Sequence, residues 1–387
     1  MKTKTHQELS QYISKIDPIK YAKTRNYING SVTMLSPYIT HGVLTIYEIV
    51  NIILSKYTVE QSESLLKELL WREYFVQVHY RKWDDIFVDM EESKTNISKQ
   101  DILSQKIITW NTDSIWVNET VSQLIETWYL HNHQRMRFAS YCTHYAKLYW
   151  KSFADRTYYH FLDWELWSNH LSRQRVESTF SHKPYFMNED NITRYRPNHK
   201  DKIYSHDYET LHDILFDPKR ISVYQNDIDL KNTFSTDLSW FDYFDDKLVV
   251  EDNITIINPW DFHPQKINKN EFTVCILDEE FFAKHPRSPN RINFIKSYAD
   301  IYGINIYIWN IDKIISWLIS QNKKITIYET HNPYYRQANE KHTKHINLIP
   351  AKRCSPIAKV SYNKKFFWFW EKSVKYLYNI QKTHSLL

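Results

Sequence analysis

Three glycines in 387 residues, Gly30, Gly42 and Gly303, restrict this chain more than any other feature of its sequence. Glycine lets the backbone turn through positive φ and lets a ligand approach the main chain closely. With three so far apart, neither a G-x-G-x-x-G dinucleotide turn nor a Walker-type phosphate loop can be written anywhere. A nucleotide bound to such a chain has to be held by side chains, helix N-termini and non-glycine backbone.

The length suits two domains, each large enough for its own core. Hydrophobic residues at 42% and charged residues at 25% are ordinary for a globular protein. No run of about 18 apolar residues appears, so no membrane span is expected. The opening, MKTKTHQELSQYISK, lacks the apolar core of a secretion signal, and a cytoplasmic location is expected. Cys142, Cys275 and Cys354 are too scattered for a disulfide framework or a zinc knuckle. They are also one ligand short of a four-thiolate cluster. A net charge of +5 permits a nucleic-acid partner without requiring one. Most of the 14 Trp and 29 Tyr are assigned to core packing.

Residues 1–200 read as helices joined by short polar loops. The stretch TVEQSESLLKELLWREYFVQVHY carries Leu65, Leu66, Leu69, Leu70 and Phe75 at helical spacing. A second helix is predicted through HQRMRFASYCTHYAKLYW and a third over Asp163 to His170. Residues 201–265 show little periodicity and read as an irregular connector with some short helices. From 266 to 387 the pattern alternates. T-V-C-I-L-D, I-N-I-Y-I-W and I-T-I-Y read as strands at 273–277, 304–309 and 325–328, adjacent in one parallel sheet. Ser288-Pro289 opens a helix that Gly303 ends. A last amphipathic helix, F-F-W-F-W-E-K-S-V-K-Y-L-Y, closes the chain. The fold class is thus an N-terminal all-α domain followed by a smaller C-terminal parallel α/β domain.

Chemistry concentrates between Trp128 and Tyr195, where Trp, Tyr, Asn, Arg and carboxylates crowd together in a composition suited to a flat aromatic ligand. Asn132 and Arg135 are neighbours on one helix face. An arginine on an apolar helix demands a carboxylate, and Asp163 or Glu165 in L-D-W-E-L can supply it. Upstream, Ser31, Thr33 and Ser36 offer three hydroxyls before a helix with Pro37 at its first position and Ser36 as its cap. Glu68 and Trp71 share a helix face, and Arg72 points round toward another. His131 and His133 diverge on a helix, and no third ligand sits at metal spacing. His331, His342 and His345 lie among lysines and read as solvated. No metal is expected.

This order of residues resembles the flavin-binding helical domain of the photolyase/cryptochrome family. Tyr21, Arg25 and Ser31–Ser36 are similar to its Y-x-x-x-R…T-S-x-L-S element, with Met34 where the family usually has Arg. E-L-L-W-R-E matches its lesion-pocket helix. Asp163, Glu165 and Asn169 keep the register of its D-G-D motif and following Asn. The resemblance implies FAD, held by Tyr21, Val32, Thr33, Met34, Leu35, Ser36, Arg72, Asn132, Arg135, Asp163, Glu165 and Asn169. Asp163 would pair with Arg135, and Asn169 would lie beside flavin N5. Glu68, Trp71, Asn132 and Met136 would receive a flipped pyrimidine pair.

The departures carry information too. Trp164 replaces the Gly of D-G-D. The family's light-driven reduction usually runs through three tryptophans. Trp150 and Trp110 fit the middle and outer positions, but the inner one aligns with Arg173, which cannot relay an electron. The Trp that packs against the lesion aligns with Arg175. Arg173 and Arg175, together with Arg25 and His133, are expected toward DNA phosphate. Family members usually begin with their α/β antenna domain, so this chain looks permuted. The expected activity is light-driven splitting of pyrimidine dimers in DNA by a monomer that needs neither metal nor membrane. The alternative is a blue-light sensor or a flavin-binding protein that does not repair.

Overall fold

The computed structural model describes residues 2–385 apart from positions 96, 98, 100–104, 196–200, 202–204, 220–233, 246, 247, 249, 268–270 and 356–364. The chain divides into two compact units, neither continuous in sequence. One comprises Lys23–Val32 and Asp84–Phe234, the other Lys2–Ala22, Thr33–Trp83 and Ser235–Leu387.

The first unit is helical. Ser114 caps Ile115–Thr127 by accepting from Val117 N, and that helix ends on Trp128 in the left-handed region. His131 caps Asn132–Ser140 in a reciprocal capping box with Gln134. The predicted second helix does not run on to Trp150. It passes into a π turn at Tyr141–Tyr145, and Lys147 at φ 56° breaks the chain before a new helix, Trp150–His160. The third helix starts at Leu166 and reaches Glu177, so Asp163 lies in the loop before it and Glu165 stands at the cap position. The segment expected to be an irregular connector contains a helix at Tyr208–Phe216, begun by Asp207 accepting from Thr210 N.

The second unit holds the sheet. Strands β1 (Asp242–Tyr243), β2 (Asn253–Ile257), β3 (Phe272–Asp278), β4 (Asn305–Trp309), β5 (Lys324–Tyr328) and β6 (Ile346–Ile349) are all parallel, in the order β1-β4-β3-β2-β5-β6. The three predicted strands appear as β3, β4 and β5. However, β5 is not next to β3, because β2, from the stretch read as connector, lies between them. β3 is buried from Val274 to Asp278 on both faces, which explains why it reads as a solid apolar run rather than an alternation. Ile314, Ile315 and Leu318 of the helix Ile311–Ser320 join Ile254, Ile256, Val274, Ile276, Ile325 and Ile327 in one core.

Pro289–Tyr302 begins after Ser288 and ends at Gly303, φ +66°. Gly42, also at φ +66°, has a second reason to be glycine, since a Cβ there would collide with the carbonyl of Trp260. The helix Val59–Lys82 starts from a Thr58–Gln61 capping box, and the C-terminal helix Phe366–Ser385 packs along it. Among the described residues no helix is long and apolar enough to cross a membrane.

Candidate functional site

In the helical unit the chemistry gathers around two buried arginines. Arg135 donates through Nη2 to Asp163 Oδ2 at 2.8 Å and through Nε to the carbonyl of Leu130 at 2.7 Å. Its guanidinium lies 4.4 Å from the Phe161 ring and 5.4 Å from that of Trp164. Of the two carboxylates open as partners, Asp163 is therefore the one bonded. Glu165 instead accepts from Trp167 Nε1 at 2.9 Å.

Arg173 faces inward as well. It is 2% exposed, donates to the carbonyl of Arg135 at 3.0 Å, and lies 4.3 Å from the Trp164 ring and 4.8 Å from that of Phe153. Its expected contact with DNA phosphate is thus corrected, because a side chain this buried has no outward reach. Burial, with the charge of Arg135 adding to it, lowers its pKa to about 9. No carboxylate pairs with it among the described residues. Arg175, two residues on, is exposed.

Some polar atoms remain unanswered here. Asn169 donates to the carbonyl of Ala154 at 2.9 Å, but its Oδ1 is buried and accepts nothing. Arg173 Nε and Nη2 are buried donors without acceptors. Buried polar atoms are seldom left unbonded, because each one costs on the order of 1–3 kcal/mol. One bare acceptor, two bare donors and an aromatic wall of Trp164 tilted against Phe161, ring centres 3.9 Å apart, suit a flat ligand with a polar edge and negative charge.

Asn132 is exposed and reaches Met136 Sδ at 3.7 Å. His131 and His133 do not diverge, since their rings meet edge-on at 5.7 Å. They are still not a metal pair. His131 Nε2 is bonded to the carbonyl of Arg25 and Nδ1 accepts from His133 N. Burial and Arg137 push His133 down to about 4, so at neutral pH it brings no charge to a phosphate. Trp150 is fully buried, donates to Asp89 Oδ1 at 2.6 Å, and meets His170 edge-on. Trp110 is half-buried, with Arg156 over its ring at 4.7 Å.

Tyr21, Thr33, Met34, Leu35, Ser36, Glu68, Trp71 and Arg72 belong to the second unit, and Arg25 and Val32 to the first. The helix after Leu35 begins at Ser36 itself, and no side chain caps it, so Ser36 is not the cap. Met34 takes φ 53°. Arg72 donates through both Nη atoms to Thr40 Oγ1 at 3.2 Å. Trp71 is stacked face to face on Phe366, ring centres 3.8 Å apart and planes 11° from parallel. Nothing local in the sequence signals this contact, since the partners lie almost 300 residues apart. A second contact that sequence reasoning missed is Lys99 with Glu177 at 3.5 Å. His331 is half-buried rather than solvated, and His342 is bonded to Asp312 at 2.8 Å.

Residues 65–208 match the family described as the FAD binding domain of DNA photolyase. A cryptochrome DASH from Idiomarina loihiensis is 29% identical over 171 residues, 42% of this chain and 38% of its own. This chain thus spans less than two thirds of that relative's length. Among solved structures, a Synechocystis cryptochrome aligns over 51% of this chain and 44% of its own at 18% identity, TM-score 0.44. An archaeal photolyase from Sulfolobus tokodaii, solved with two FAD molecules, aligns over 58% and 53% at 17% identity, TM-score 0.41. A class III photolyase from Agrobacterium tumefaciens aligns over 44% and 37% at 16% identity, TM-score 0.39. The helical region therefore carries a flavin-binding domain of photolyase type. Residues 65–208 thus match a domain whose cofactor is FAD.

Proposed function

We propose that this protein uses light to split cyclobutane pyrimidine dimers in DNA. The reading rests on the buried positive surplus of Arg135 and Arg173 against the single paired carboxylate Asp163, one helical turn from the bare Oδ1 of Asn169. Such a setting favours a negatively charged ring system over a neutral one. Bound FAD, in reduced form, would supply light absorption and the electron.

The chain's own residues fix and shield. Asp163 holds Arg135 in place, Phe161 and Trp164 exclude water, and Asn169 Oδ1 accepts an N–H from the ligand edge. Tyr21, Val32, Thr33, Met34, Leu35, Ser36, Arg72, Asn132 and Glu165 complete the cofactor contacts. Glu68, Trp71, Asn132 and Met136 receive the flipped pyrimidines, and Arg25 and Arg175 offer charge to the phosphates. Neither Asn132 nor Met136 is a general acid, which suits a reaction that needs an electron and no proton. Trp110 and Trp150 serve refilling by light, slowed by Arg173 at the inner step. The sheet unit stands in for the antenna domain in a permuted order, and the protein works as a cytoplasmic monomer.

The stacking of Phe366 on Trp71 favours a second reading, a blue-light sensor or a non-repairing flavoprotein, because one face of the expected aromatic clamp is taken. The test is to reduce the flavin chemically, illuminate with a dimer-containing oligonucleotide, and follow recovery of the thymine absorbance. Recovery supports repair. No recovery at saturating DNA, in the wild type and in Phe366→Ala alike, moves the assignment to the sensor reading.

A further inference from the structure

Away from the flavin residues, three side chains from distant parts of the sequence converge within the sheet-containing unit. His6 lies on the first helix (His6–Ile13), Glu48 on the helix Ile46–Leu54, and His263 in the loop that follows β2. One ligand atom from each lies within 4.8 Å of the other two. His6 Nε2 is 2.7 Å from Glu48 Oε1, and His263 Nε2 is 3.3 Å from Glu48 Oε2. The two imidazoles meet edge-on at 4.9 Å.

One carboxylate thus bridges both rings, with His6 paired to Oε1 and His263 hydrogen-bonded to Oε2. Tyr302 adds a hydroxyl that is buried without a hydrogen-bond partner.

We propose that His6, Glu48 and His263 bind one divalent transition-metal ion of the zinc class. Two imidazoles and a carboxylate are a common ligand set for zinc, with bonds of about 2.0–2.2 Å and a fourth position left to water. Two atoms on one such tetrahedral ion sit about 3.3–3.6 Å apart. His263 Nε2 already stands at that distance from Glu48 Oε2, while His6 Nε2 would draw back from Oε1 to admit the ion. His6 and Glu48 remain partly exposed, at 24% and 21%, which leaves an entry path and room for the water. The ion would clamp the first helix, the 46–54 helix and the loop beyond β2 together. Binding through His263 Nε2 puts that ring's proton on Nδ1. It therefore gives up the 3.3 Å bond that Nδ1 accepts from Gln265 N. Sequence spacing could not reveal the site, because its ligands are 42 and 215 residues apart.

The experiment is titration of the full-length, chelator-stripped protein with Zn²⁺ by calorimetry, and with Co²⁺ by visible spectroscopy. One Zn²⁺ per chain is expected, with a raised Tm and Co²⁺ bands of a four-coordinate nitrogen and oxygen site. His6→Ala combined with His263→Gln should weaken binding at least 100-fold, whereas His345→Ala at the surface should leave it unchanged. The wild-type cobalt spectrum decides the matter if the double variant does not fold. Absence of stoichiometric uptake by the wild type, an octahedral cobalt spectrum, or undiminished uptake by a folded double variant overturns the proposal.

Discussion

In the sheet unit the space between strands and helices is filled by Ile, Val and Leu, from Ile254 on β2 to Leu318 on the covering helix. In the helical unit, Arg135, Arg137, Arg156 and Arg173 are each less than a tenth exposed. An aliphatic side chain gains on the order of 1.5–3 kcal/mol from burial. A buried guanidinium loses its water and recovers the loss only through partners arranged around it. The sheet core is therefore built from interchangeable, non-directional contacts, although its unit buries Arg287, Arg291 and Arg336 elsewhere, and the interior around Arg135 and Arg173 from specific ones that fail singly. A site for a flat aromatic ligand belongs in the second kind of interior, where polar atoms are already fixed in place.

The most damaging way to test this contrast is Asp163→Ala. It leaves Arg135 buried without its carboxylate and should cost about 3–5 kcal/mol in urea unfolding, with loss of bound flavin on purification. A cost below about 1 kcal/mol would mean that the helical interior tolerates stranded charge as a surface does, and the contrast would collapse.

A smaller effect should come from Glu177. Burial pushes its pKa up to about 7, while Lys99 and Ser93 pull the other way. A raised acid binds its proton more tightly folded than unfolded. Its contribution to stability is thus complete below the ordinary carboxylate range and is lost as pH rises through about 7. Measured as the difference between wild type and Glu177→Gln over pH 4.5–7, this loss should reach up to about 3 kcal/mol. A flat difference would indicate that the carboxylate is solvated in the native state.

The mildest change is Ile276→Val in the sheet core, expected to cost about 0.5–1.5 kcal/mol with no change in flavin content. A larger loss, or loss of flavin, would show that the sheet core is less forgiving than proposed.

What could be read from the sequence follows the same division. β3 and β4 were legible because unbroken apolar runs bounded by turns and helices have few other uses, and Gly303 ended its helix because φ +66° suits glycine. The neighbouring strand β2, N-I-T-I-I, was missed because polar and aromatic stretches flank it and no helical pattern follows. Charge alone narrowed the partner of Arg135 to Asp163 or Glu165, since a buried cation needs an anion nearby, and the resemblance singled out Asp163, the residue bonded. Three other contacts had no such signal: the inward turn of Arg173, the Lys99–Glu177 pair and the plate of Phe366 on Trp71. Each depends on which helix packs where, and local pattern does not encode that.

The discontinuity of the two units also has a consequence in time. Lys23–Val32 and Asp84–Phe234 can gather while the ribosome is still translating the remainder. Residues 2–22 and 33–83 pack in part against one another, but their partners in the sheet and the C-terminal helix are missing until Ser235–Leu387 has emerged. At roughly 5–20 residues per second, the apolar face of the Val59–Lys82 helix waits on the order of 15–60 s for the C-terminal helix that covers it. Synthesis order thus makes the first fifth or so of the chain, residues 23–32 aside, the stretch that depends most on chaperones. Slowing elongation after residue 234 should prolong that dependence, while leaving the helical unit folding on schedule.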